Sequence, residues 1–91
     1  MDFDWDPAKA RTNLAKHGVS LGAATVVFDD PFAIERLDDT GDYGEERFVI
    51  VGRVQDLLLS VAFVARGPIT RLISARRATR KEQDDYFRQG I

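Results

Sequence analysis

The chain has no cysteine and a single histidine among its 91 residues. The first absence excludes disulfides and thiolate metal sites. The second leaves little besides carboxylates to ligate a metal, and these cluster in one loop. Within it Asp38, Asp39 and Asp42 resemble fragments of a calcium loop, but the spacing and terminal glutamate are missing. Neither a metal nor another cofactor is expected. The chain also lacks a glycine-rich phosphate loop and a nucleophile elbow, which excludes the common nucleotide-binding and serine-hydrolase signatures. It has no apolar run long enough to span a membrane. Its start, Met1-Asp-Phe-Asp-Trp-Asp6, is acidic where a signal peptide would be basic and then apolar. A single cytoplasmic domain over residues 1–91 is the simplest expectation.

What is present is charge, unevenly placed. The formal net charge is only −2. Residues 1–46 carry four Lys and Arg against eleven Asp and Glu, a net of −7. Residues 47–91 carry nine against four, a net of +5. Eight of those nine cations are arginine, whose planar fork suits phosphate. A pI of 5.3 argues against a generic nucleic-acid coat but leaves room for a local basic cleft.

The densest chemistry lies in residues 69–87. Ile69 to Arg77 alternates β-branched and polar residues, as a strand does. Thr79-Arg-Lys-Glu82 is a capping box that opens a helix expected to end near Gly90. Arg76, Arg77, Arg80 and Lys81 gather at the junction. They read either as a solvated basic turn or as a phosphate site at a helix N-terminus.

Upstream, Phe3 and Trp5 alternate with aspartates as a short strand with an aromatic face. Asp6-Pro7 opens a helix that Gly18 closes. Its apolar residues are few, Ala8, Ala10, Leu14 and Ala15, and Lys9, Asn13, Lys16 and His17 form a polar stripe on neighbouring helix faces. Ser20 caps a second short helix whose apolar face is Leu21, Ala24, Thr25 and Phe28. Asp29-Asp30-Pro31 ends it. A strand follows over Phe32–Leu37, then an acidic loop, Asp38–Gly44. Three further strands, Glu46–Val54, Leu57–Arg66 and Ile69–Arg77, are joined by turns at Gln55-Asp56 and Gly67-Pro68. Matching bulky faces across them gathers Arg47, Ser60, Arg66, Ser74 and Arg76 on a thinner polar face, with Leu72 on the same side as Ser74 and Arg76. A one-residue slip would reverse this. The order β-α-α-β-β-β-β-α with short connections predicts an α+β fold, a small antiparallel sheet with helices packed on one face.

His17 is a candidate proton carrier, because histidine is the side chain that ordinarily titrates near neutrality. A lone histidine near a helix C-terminus is more often a capping or dipole-satisfying residue. Glu45-Glu46-Arg47 sets a carboxylate beside an arginine, or makes a surface ion pair. Trp5 and Phe28 read as core.

Taken in order, Phe3-Asp-Trp-Asp6, Lys9, Asn13, Lys16-His17-Gly18-Val19, Val27-Phe28-Asp29-Asp30-Pro31, Tyr43-Gly44-Glu45-Glu46-Arg47, Gly52 and Ile73-Ser74-Ala75-Arg76-Arg77-Ala78 with Glu82 and Tyr86 resemble the BrnT family. Each motif alone is weak. The ordered set, running from Phe3 to Tyr86, is specific. The resemblance implies a RelE-like fold and a ribonuclease toxin of a bacterial type II toxin–antitoxin pair that arrests translation. It implies an RNA substrate and a BrnA-like ribbon-helix-helix antitoxin, with DNA engaged only through that antitoxin. It fits metal-free cleavage by the 2′-hydroxyl, in which arginines hold phosphate and a few groups move protons. The catalytic candidates are then His17, Glu45, Arg47, Arg76 and Tyr86. The RNA-binding candidates are Lys16, Arg66, Arg77, Arg80 and Lys81. The rival reading is a non-catalytic RNA- or protein-binding module on the same fold, for example a gyrase-directed poison.

Overall fold

A computed structural model describes residues 1–39, 41 and 44–89. Part of the acidic loop, the motif residue Tyr43 and the expected end of the last helix at Gly90 therefore lie outside the described residues.

Strand β1 (Asp2–Asp4) leads into helix α1 (Pro7–His17). Asp6 caps α1 by accepting from the Ala8 N–H, and Pro7 takes the first helical position. The helix stops because Gly18 turns left-handed at φ 69°, and its N–H returns to the Leu14 carbonyl. Helix α2 (Leu21–Ala24), capped by Ser20, tightens at once into a 3-10 helix over Thr25–Asp29. That tightening changes the buried face. At three residues per turn Leu21, Ala24 and Val27 stack and are buried, while Val26 is exposed and Phe28 only half-buried.

Strands β2 (Ile34–Asp38), β3 (Arg47–Val54), β4 (Leu57–Arg66) and β5 (Ile69–Arg77) form an antiparallel meander. The β3–β4 turn needs no glycine because Gln55 itself takes a left-handed φ of 54°. Helix α3 (Arg80–Arg88) follows, and the expected capping box between Thr79 and Glu82 is formed.

Three expectations are corrected. First, the sheet is mixed: its order is β1-β5-β4-β3-β2, and β1 runs parallel to β5. The two helical segments between β1 and β2 are long enough to carry the chain over the sheet, which short connections would not. Second, the helices do not share a face. α1, α2 and the 3-10 helix cover the bulky face, burying Ile50, Leu59, Val61, Phe63 and Leu72 with Val27 and Leu21. Phe28 joins this core edge-on to Phe63. Helix α3 crosses to the opposite face, where its Tyr86, with Ala78 just before the helix, clusters with Val49 and Val51.

Third, β5 is not one regular strand. Ala62 pairs with Ser74, but Phe63 pairs with Leu72, so Ile73 is an extra, bulged residue. The bulge sends Leu72 into the core while Ser74 and Arg76 keep the other face. Leu72 and Arg76 therefore never compete for one environment.

Gly52 sits where β3 passes under the 3-10 helix. A Cβ there would lie 3.0 Å from the Val27 carbonyl oxygen and 3.1 Å from Val27 Cβ, so only glycine fits without displacement.

Candidate active site

Register places the candidate residues in rows across the face that α3 only partly covers. One row runs Arg36, Val49, Ala62, Ser74 from β2 to β5. The next runs Ile34, Val51, Ser60, Arg76. α3 caps the apolar end of this face. The uncapped end is a groove of about 310 Å³ lined by Arg36, Asp38, Arg47, Val49, Ser60, Ala62, Ser74 and Arg76.

At the boundary between helix and groove stands Glu82. Arg76 donates to it twice, Nη1 to Oε1 at 2.8 Å and Nη2 to Oε2 at 3.2 Å. The buried Ser60 hydroxyl donates to Oε2 at 3.1 Å, and the Thr79 N–H to Oε1 at 2.8 Å. Arg36 Nη2 approaches Oε2 at 3.8 Å. Burial raises the Glu82 carboxyl, but the bonds from Arg76, Thr79 and Ser60 outweigh it and bring its pKa down to about 2.

A second groove, also about 310 Å³, runs along α1 and includes Lys9, Lys16, His17, Ile73 and Ser74. Ser74 lines both grooves. β1 stops pairing at Arg71, so the β5 edge beyond it is open to α1. Asn13 fills the gap. Its Oδ1 accepts from the Ala75 N–H, and its Nδ2 donates to the carbonyls of Ala75 and Val19. Asn13 is thus buried structure and not part of an exposed stripe, whereas Leu14 is exposed.

The predicted site residues divide accordingly. The structure brings Arg47 and Arg76 into one groove, and Lys16 and His17 into the adjoining one. It sets Glu45 and Arg66 apart as an exposed ion pair at 3.0 Å, so Arg66 does not line the groove as the strand alternation had placed it. It binds Arg80 to Asp84 and Lys81 to Asp85 along the outside of α3. Arg77 is exposed beside Arg53 and Asp56, outside the groove. Tyr86 is buried, and its hydroxyl donates to Asp30 Oδ2 at 2.7 Å. The same oxygen accepts from the Arg53 N–H, while Asp30 Oδ1 accepts from that of Phe32. Burial, then the charge and bond of Asp30, push the Tyr86 hydroxyl up; Asp30 is held below its usual range despite its own burial.

Sequence reasoning missed Arg36 and Asp38 as residues of this groove, whereas an Arg76 ion pair with the start of the last helix was among its readings, and it forms with Glu82. Arg36 and Asp38 alternate on β2 and so share a face, but only the β2–β3 register shows that it is this face.

The structure is a small α+β domain with an open, arginine-lined groove on its sheet. Residues 5–82 match the family described as ribonuclease toxin, BrnT, of type II toxin–antitoxin system. The chain belongs to that family, and its class carries an RNA substrate and an antitoxin partner. No curated protein matches the chain. Among the described residues no helix is long and apolar enough to cross a membrane.

Proposed function

We propose that this chain is a metal-independent endoribonuclease that acts in the cytoplasm and cleaves RNA by attack of the 2′-hydroxyl on the adjacent phosphate. The observation that carries the reading is the meeting of the two grooves at Ser74. Arginines line the groove on one side of β5 and an imidazole the groove on the other, which supports this reading.

Arg47 and Arg76 hold the scissile phosphate, with Arg36 adding charge from β2. The groove holds three arginines against Asp38 and Glu82, so it stays cationic. As the 2′-oxygen bonds to phosphorus, the extra negative charge falls on oxygens facing guanidinium groups. The bond to the 5′-oxygen breaks. The products are a 2′,3′-cyclic phosphate and a 5′-hydroxyl. One proton leaves the 2′-hydroxyl and one reaches the 5′-oxygen. His17 carries one of these transfers, and Lys16 beside it holds the neighbouring backbone. Glu45 and Tyr86, each engaged elsewhere, stand outside the reaction. Arg66, Arg77, Arg80 and Lys81 make peripheral backbone contacts. The RelE-like kinship implied by the sequence and a BrnA-like ribbon-helix-helix antitoxin belong to the same reading, with DNA reached only through that antitoxin.

The test is cleavage of a short RNA in EDTA, with a second RNA carrying a single 2′-deoxy nucleotide at the cut. Cleavage in EDTA, cyclic-phosphate ends and an intact deoxy substrate are expected. Loss of cleavage on chelation, restored by Mg²⁺, overturns the mechanism.

A further inference from the structure

A guanidinium has two forks. The end-on fork is formed by Nη1–H and Nη2–H, the side-on fork by Nε–H and the second Nη2–H. Glu82 takes the end-on fork of Arg76, at 2.8 and 3.2 Å. The remaining Nη1–H donates to the Arg77 carbonyl at 3.1 Å. The side-on fork meets no acceptor among the described residues, and Arg76 lines the groove.

Glu82 is itself held by two further donors. The Ser60 hydroxyl on β4 donates to it, and so does the Thr79 N–H at the start of α3, as half of the capping box. Its side chain is only 12% exposed, against 39% for Arg76. The carboxylate is therefore the fixed partner and the guanidinium the more accessible one.

We propose that Glu82 is a positioning residue for the cleavage reaction. It locks Arg76 by the end-on fork so that the side-on fork stays presented, as two parallel donors, to the scissile phosphate. An incoming phosphate then adds to the arginine without displacing the carboxylate. This rests on the phosphate role given to Arg76 above. The pair has no net charge, so what Glu82 contributes is direction, and a misaimed donor is costly where reacting atoms must be held closely.

The experiment compares Glu82→Gln, Glu82→Asp and Arg76→Ala in steady-state RNA cleavage, below the melting temperature of each variant. Gln can still serve the capping box, but it turns one acceptor into a donor facing Arg76. Asp keeps the charge and withdraws it by one methylene. Both are expected to lower kcat at least tenfold with KM unchanged or reduced, because Arg76 keeps its charge and loses its aim. A merely structural carboxylate lowers the melting temperature and leaves kcat and KM as they were, and that result overturns the inference. Arg76→Ala separates the two levels. If it is inactive while both Glu82 variants turn over normally, only the positioning role falls. If Arg76→Ala cleaves normally, the phosphate reading falls with it.

Discussion

His17 and Asn13 lie one turn apart on α1 and do different work. Asn13 is sealed against β5, with two donors and an acceptor satisfied by backbone. His17 is half-buried in the groove that ends at Ser74. His17→Ala should therefore lower kcat roughly 100-fold or more, the usual worth of a proton carrier. Its melting temperature should stay within a degree or two of the parent. Unchanged turnover would return His17 to a helix-end role. The sequence showed both residues as one polar stripe. What separated them was invisible there: β1 ends at Asp4, and the edge it leaves open has to be paired by a side chain.

At the scale of elements, α3 is held in place by two part-buried polar contacts of different purpose. One is Tyr86 on Asp30, which ties the helix to the turn before β2. Tyr86→Phe should cost about 1–3 kcal/mol, because Asp30 Oδ2 keeps only the Arg53 N–H. RNA cleavage below the melting temperature should be unaffected. A tenfold slower variant with an unchanged melting curve would put the hydroxyl in the reaction. The other contact is Glu82 on Arg76. The Glu82 pKa falls from the usual 4.5 to about 2 in the folded chain, so folding favours the ionised form. Its stabilisation is complete above about pH 4.5 and is lost as the pH falls toward 2. Wild type and Glu82→Gln should differ in melting temperature at pH 7 and converge by pH 2. A gap that stays constant across that range would mean that the charge of Glu82 contributes nothing. Most of these elements were legible: the caps at Asp6, Ser20 and Thr79, the stop at Gly18 and the bounds of β5 follow from local chemistry. The bulge at Ile73 and the crossing of α3 to the second face were not, because both depend on which strand lies beside which.

At the scale of the whole molecule, the halves of the chain carry opposite charge, yet the groove draws Arg36 from the acidic half and Arg47 and Arg76 from the basic one. Folding builds a cationic groove within an acidic protein, and such a groove suits an acidic segment as well as RNA. The antitoxin that the family implies should therefore neutralise the toxin by laying carboxylates over this groove. Co-expressed toxin and antitoxin should purify together, and the complex should have lost RNA cleavage. Their association should weaken as salt rises, since charges that meet across an exposed groove are screened. Arg36→Glu sits at the groove edge on β2 and should weaken the complex at least tenfold at low salt. A complex that cleaves RNA at the full rate of the free toxin would rule out occlusion. A salt-independent complex that is insensitive to Arg36→Glu would place the antitoxin on another face.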